Sequence, residues 1–161
     1  MKIENKVIAL FKGVISADSE PIYIKNSIVD VIDFDTFEFD NEMVIEDFII
    51  KNLLIHSCWF KKGLKFKGNH VHNYVDYQIG GHNAYPMTIA GCIFNDFFNF
   101  FDCQFNSALE VIDNVFIKGS NLLGNQREGF KNFFKTAPVL KGNVGNLSLD
   151  GIGKNAGSVI D

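Results

Sequence analysis

Apolar residues recur along the chain in a hexapeptide pattern whose shared form is apolar, any, Asn/Asp/Gly, small or varied, any, apolar. Six stretches carry it: IKNSIV from Ile24, IEDFII from Ile45, FKGNHV from Phe66, IAGCIF from Ile89, VIDNVF from Val111 and LKGNVG from Leu140. Successive copies begin roughly 21–23 residues apart, except that the interval before Leu140 is longer. One structural unit is therefore repeated, and the last interval carries an insertion.

A finer step of about five residues lies inside each unit. It runs through Ile24, Val29, Phe34 and Phe39, and second copies of the pattern begin at Phe34, Ile55, Phe100 and, more weakly, Ile117. An α-helix would spread positions five apart around its whole surface, and an odd step cannot keep to one face of a long strand. A coil of four short sides fits this step, and stacked coils would bury one continuous apolar column.

The third slot of the pattern predicts the corners of such a coil. It holds Asn, Asp or Gly, the residues that tolerate left-handed backbone angles and bond to nearby backbone groups. We therefore expect the chain to turn at these positions.

The five-residue step, with a small residue two positions before an apolar one, resembles the pentapeptide-repeat family. The resemblance is carried by SIV ending at Val29, CWF at Phe60, CIF at Phe94, CQF at Phe105 and NVF at Phe116. It covers about residues 22–123. It implies a right-handed, four-sided parallel β-helix, with a more irregular right-handed β-helix as the alternative.

We predict one all-β domain over residues 1–161, a right-handed parallel β-helix of about six coils, each roughly 21–23 residues long. Residues 1–21 are expected to form an N-terminal cap, 22–123 the regular coils, 124–138 an insertion, and 139–161 the last coil and tail. Phe130, Phe133 and Phe134 stand at helical spacing before Pro138. They predict a short helix near residues 126–137.

Charge and cysteine content narrow the class of protein. The net charge of −4 argues against binding to nucleic acid, and no apolar run reaches the ~18 residues that would span a bilayer. The three cysteines, Cys58, Cys92 and Cys103, are an odd number in small inward slots, which favours buried free thiols in a reducing compartment. We expect a cytoplasmic protein that binds neither nucleic acid nor a membrane.

Three histidines form the candidate metal site. His70 and His72 flank the inward Val71, so both imidazoles would point outward on one face, and His82 with Asp76 lies nearby in the sequence. The competing interpretation is three unconnected surface histidines. We expect no cofactor.

An acidic stretch is the candidate interaction surface. Residues 30–47 hold eight carboxylates and no Lys or Arg. The surface is assigned to Asp33, Asp35, Glu38, Asp40 and Glu46. Some pentapeptide-repeat proteins use an acidic rod to imitate DNA, so the resemblance implies this role as one hypothesis. A solvated acidic face is the favoured interpretation, because KKGLKFK just beyond reverses the sign.

The function predicted from these features is that of a non-catalytic protein–protein interaction module, such as an inhibitor or antidote, with a protein partner. Self-association through an uncapped C-terminal end would make it a homodimer. One alternative is a carbohydrate-binding or carbohydrate-cleaving β-helix with Asp and Glu on neighbouring coils as acid and base. A second alternative is a metal-binding protein that uses His70, His72 and His82.

Overall fold

The computed structural model describes residues 2–12, 21–126 and 129–151, which wind into a stack of parallel β-strands with four sides. Strands are numbered in chain order. Side one is a seven-stranded sheet of β1 (Lys2–Glu4), β3 (Ile22–Lys25), β6 (Met43–Glu46), β9 (Leu64–Lys67), β12 (Met87–Ala90), β16 (Leu109–Ile112) and β19 (Val139–Lys141). No described segment is a helix with the length and apolar character needed to cross a membrane.

Sides two and three are built from long strands in the early coils and shorter strands in the later ones, whereas side four has short strands throughout. Sides two and three share β2 (Val7–Lys12), β4 (Ile28–Asp35) and β7 (Ile49–His56). Side two continues with β10 (His70–Val71), β13 (Ile93–Phe94) and β17 (Val115–Phe116), and side three with β11 (Val75–Gln78) and β14 (Phe98–Phe101). Side four contains β5 (Glu38–Phe39), β8 (Trp59–Phe60), β15 (Gln104–Phe105) and β18 (Phe133–Phe134).

The predicted right-handed parallel β-helix is confirmed, with a slightly different number of coils. Five coils carry all four sides, and they begin at Ile22, Met43, Leu64, Met87 and Leu109. These starts follow the intervals of the sequence repeats, and the fifth coil is the longest, because it holds the insertion before Val139.

Residues 2–12 add strands of a partial coil at the N-terminal end, where the sequence predicted a cap. The rest of the predicted cap, residues 13–20, lies outside the described residues. So does the predicted tail from residue 152 onward.

The hexapeptide repeats stack in the register that the sequence predicted. On side one, the first residues of all six repeats align directly, one per strand, in the order Ile24, Ile45, Phe66, Ile89, Val111 and Leu140. The weaker half-unit copy from Ile117 follows β17 on side two and joins no column. The half-unit copies from Phe34, Ile55 and Phe100 align with Tyr77 in a second column on side three. All of these except Leu140 are buried, and they form the core of the stack.

The third slot of each repeat forms a corner, as predicted. Its six residues all have a left-handed φ between 47° and 66°: Asn26, Asp47, Gly68, Gly91, Asp113 and Gly142. A second line of corners separates sides three and four at Thr36, Ser57, Ile79, Asp102 and Asn125, with φ between 49° and 60°. Left-handed backbone bends the chain sharply from one side to the next, so these two lines of corners help to set the cross-section.

Buried amides follow the first line of corners and tie one coil to the next. Asn114 accepts a hydrogen bond from the backbone N–H of Cys92 at 2.9 Å and donates to the carbonyl of Ile89 at 2.9 Å. Asn69 makes the equivalent bonds to Phe48 and Ile45 two coils earlier. These side chains satisfy backbone groups that the turn removes from the strand ladders.

The insertion contains no helix among its described residues, so the predicted helix near residues 126–137 is wrong. Phe133 and Phe134 instead form β18, which pairs with β15 on side four. The Phe134 ring stacks on Phe105 with ring centroids 5.3 Å apart, and Asn132 accepts from the N–H of Cys103 at 3.0 Å. The chain thus returns to the stack and completes the fifth coil, because the Phe105 ring below offers an apolar surface to cover.

Ile79 is a β-branched residue held at a left-handed corner, with φ of 49°. Left-handed backbone costs a non-glycine residue about 1–2 kcal/mol, whereas Asn tolerates it better. We expect Ile79→Asn to raise the free energy of unfolding by about 1 kcal/mol in urea titrations.

Ile117→Asn is the matched control for that change. Ile117 is 62% exposed against 48% for Ile79, but it is not in the left-handed region. Its replacement should stay within about 0.5 kcal/mol of the parent. An equal gain in both variants would assign the effect to the lost apolar surface instead of the backbone.

Candidate interaction surface

The acidic residues chosen from the sequence lie on three different sides of the stack. Asp33 and Asp35 stand on side three, Glu38 and Asp40 at side four, and Glu46 on side one. Side chains on different sides point in different directions. The structure therefore does not bring the five carboxylates together into one surface.

Lysines of neighbouring coils pair with most of these carboxylates. Lys61 binds Glu38 at 2.6 Å and Asp40 at 2.9 Å. Lys12 contacts Asp33 at 3.5 Å, and Lys25 contacts Glu46 at 2.5 Å. The hydrogen bonds to Glu38 and Asp40 raise the pKa of Lys61. Lysines before and after the acidic stretch thus neutralise much of its charge, which works against the continuous negative rod that DNA mimicry requires.

The three candidate metal-binding histidines are divided between two sides. His70 and His72 lie together on side two, as predicted, with ring centroids 4.5 Å apart. His82 lies on side four, where its ring contacts Trp59 at a centroid distance of 4.7 Å. Within residues 2–12, 21–126 and 129–151, no group of three or more His, Cys, Asp or Glu side chains is arranged to hold a metal ion.

Asp76, the fourth member of the proposed metal set, belongs to a polar network on side three. It contacts Nε2 of His56 at 2.9 Å and accepts from Gln78 and Asn99 at 2.8 Å each. Asn121 then donates to the Oδ1 of Asn99 at 2.7 Å. This network links four successive coils, and its bonds hold the Asp76 carboxylate in place. The sequence pattern did not identify His56, because no spacing rule joins it to Asp76.

The structure reveals a surface that sequence reasoning missed, an outward row of side chains that runs the full length of side two. It consists of Val7, Ile28, Ile49, His70, Ile93, Val115 and Val144, one from each of the five coils and one from each end of the stack, all in direct register. We call it the side-two row. Six of its seven members are β-branched aliphatic residues.

Most of the side-two row is open to solvent. Its exposed members range from Ile93 at 40% to Val7 at 83%, and Ile28, Ile49 and Val144 fall between them. Contiguous exposed apolar residues of this kind mark interaction sites on proteins, whereas single ones carry no such meaning. Strands lie ~4.8 Å apart in a sheet, so the seven residues extend over ~29 Å.

A signal for the side-two row was present in the repeats. The fifth slot of the six hexapeptides, which the pattern left as any residue, reads Ile, Ile, His, Ile, Val, Val. That slot lies between the inward fourth residue and, in five of the six repeats, an inward apolar sixth residue. Side chains alternate along a strand, so the fifth slot had to face outward.

The three cysteines are packing residues, as predicted. They are free and fully buried, and Cys58 donates from Sγ to the carbonyl of Phe34 at 3.0 Å. Burial raises the pKa of Cys58 to about 11, and that of Cys92 and of Cys103 to about 12. At neutral pH these thiols are protonated and unreactive.

Comparison with known proteins identifies no relative of this chain. The chain matches no protein-family model, no curated protein and no solved structure. The functional conclusion therefore depends on the surface itself.

Proposed function

We propose that this chain is a non-catalytic protein–protein interaction module, and that the side-two row is its contact surface. The observation that carries the proposal is the unbroken register of seven outward residues from Val7 to Val144, of which six are aliphatic and five of those are exposed. Burying such a row removes apolar area from water, which stabilises a complex by about 25 cal/mol for each Å² buried.

The packed core and hydrogen-bonded backbone beneath the side-two row make it a rigid surface, which suits it to binding. The five central members each precede a buried inward residue, as Ile49 precedes Ile50 and Ile93 precedes Phe94. The backbone of every coil is bonded to the coils above and below it. A surface held in place before binding loses little conformational entropy on association, which favours affinity.

The family, location and role of the chain are part of the same proposal. We propose that the chain is a degenerate relative of the pentapeptide-repeat family, supported by its five-residue step and its four-sided stack of parallel coils. We also place it in the cytoplasm, supported by its three free thiols. An inhibitor or antidote role, with a protein target, is the form of interaction module that this assignment favours.

Site-specific photocrosslinking in the native cell tests the proposal. A photoreactive residue at position 93 lies in the side-two row, and one at Gln104 lies outward on side four as a control. We expect a protein adduct at position 93 that is absent at 104 and is lost when Ile49→Lys is added. The same adducts at both positions, or none at 93, would contradict the proposed function.

A further inference from the structure

We propose that the partner of the side-two row is a second copy of this chain, packed face to face about a two-fold axis that passes by His70. This inference rests on the proposed function and names the occupant of the same surface. It differs from self-association through the C-terminal end, because the contact runs along the stack.

The order of residues in the row is self-complementary. His70 is the fourth of seven members, with three aliphatic residues on each side of it. If the two stacks run in opposite directions, Val7 meets Val144, Ile28 meets Val115 and Ile49 meets Ile93. If they run in the same direction, each residue meets its own counterpart. In both cases every aliphatic residue meets an aliphatic one, and His70 meets His70. A two-fold homodimer requires such a surface, whereas an unrelated partner does not.

Charges beside the row also match in the antiparallel arrangement. Asp30 and Lys51 follow the row in the first two complete coils. Asp96 and Lys118, which form an ion pair with each other at 3.0 Å, lie near the equivalent corner in the fourth and fifth. Reversing one stack brings the level of Asp30 opposite that of Lys118. It likewise brings Lys51 opposite the level of Asp96. Opposite charges at the edge of an interface favour association and exclude unmatched partners.

The parallel arrangement is complementary as well. In this arrangement, the corner that follows the row in one copy faces the corner that precedes the row in the other copy, at the same level of the stack. Lys51 then faces Asp47, and Lys118 faces Asp113, both corner residues exposed to solvent. Neither arrangement places like charges directly opposite each other at these positions.

The area of the surface determines the expected affinity of the dimer. A face ~29 Å long and ~16 Å wide, or five residues of strand, covers about 460 Å² per copy and about 900 Å² in total. This lies below the ~1,200–2,000 Å² of stable specific interfaces and within the range of weak, transient ones. A concentration-dependent dimer with a dissociation constant in the micromolar range is therefore expected, on the order of 10–100 μM.

Sedimentation velocity on the full chain from ~10 μM to ~1 mM brackets that range. We expect the parent to shift from monomer to dimer, Ile49→Lys to stay monomeric, and Gln104→Lys on side four to behave as the parent. Both substituted side chains face outward, so unchanged circular dichroism will show that the variants fold. His70→Val makes the row fully aliphatic and should tighten the dimer by about tenfold.

Disulfide trapping then identifies the contact. His70→Cys should form a covalent dimer on mild oxidation, because the two positions 70 meet in either arrangement, while Gln104→Cys should not. The three native thiols are buried and do not compete. Ile28→Cys alone will cross-link only in the parallel dimer, and Ile28→Cys combined with Val115→Cys will do so in the antiparallel one.

Two outcomes separate this inference from the proposed function. A chain that is monomeric throughout, or a position 70 that cross-links no faster than position 104, overturns self-pairing. If position 93 still gives a row-specific adduct with a different protein, the interaction role stands without it. A self-adduct at position 93 supports both.

Discussion

Phe94→Ala is expected to lower the free energy of unfolding by about 3–5 kcal/mol, the largest effect of any substitution considered. The Phe94 ring is fully buried at the centre of the stack. It stacks on Phe116 at a centroid distance of 4.9 Å and contacts the edge of Phe98 at 4.8 Å. Removing it leaves a cavity between coils that hydrogen-bonded strands above and below cannot close.

Ile93→Ala is the control on the same two-residue strand. Ile93 faces outward in the side-two row, so its loss should change the free energy of unfolding by at most about 1 kcal/mol. Urea unfolding followed by tyrosine and tryptophan fluorescence measures both variants. Similar losses for Phe94→Ala and Ile93→Ala would mean that the two side chains do not alternate between core and solvent.

Asn114→Ala should cost about 2–4 kcal/mol, although the side chain is polar. Its amide bonds the backbone N–H of Cys92 and the carbonyl of Ile89, and its burial is complete. Alanine fills less space and leaves both backbone groups without a partner in an apolar environment. An unsatisfied buried polar group costs more than the net gain from a typical hydrogen bond.

Asn73→Ala provides the comparison for Asn114. Asn73 donates to Asn52 at 2.9 Å, but this bond is exposed to solvent, so water can replace it. We expect a change within about 0.5 kcal/mol in the same urea titrations. A small effect in both variants would show that water reaches the corner at Asn114 once the amide is gone.

The sequence predicted the stacked column because its signal is repeated many times. A residue such as Ile45 is fixed by Ile24 and Phe66 in the neighbouring coils, and the same apolar type recurs at each level. The first line of corners was predictable for a similar reason, since Asn, Asp and Gly tolerate left-handed backbone, whereas the second line also holds Thr36, Ser57 and Ile79.

The insertion was predicted wrongly because its signal occurs only once. Phe130, Phe133 and Phe134 are spaced as on a helix, but spacing over so few residues also fits a short strand and a preceding loop. What decides between them is Phe105 of the coil below, which the Phe134 ring covers. That contact joins residues far apart along the chain, so the local sequence pattern does not predict it.

The candidate sites were less predictable than the fold, because they depend on which side of the stack each residue occupies. His82 and His70 are close in sequence, yet four-sided winding places them on different faces. The acidic residues spread over three sides for the same reason. The side-two row was overlooked because sequence reasoning followed the inward positions, and exposed aliphatic residues matter only when their alignment across coils is known.

The strands of each coil bond to those of the coils directly above and below, which makes the length of the molecule adjustable. A tandem duplication of residues 87–108, one complete turn from Met87 to the start of the next at Leu109, would keep the present neighbours at its two outer junctions and stack the duplicated turn on itself between them. It would extend the rod by ~4.8 Å and add one aliphatic residue to its exposed line. Gene duplication at this level could therefore match the rod to binding surfaces of different lengths without redesign of its interior.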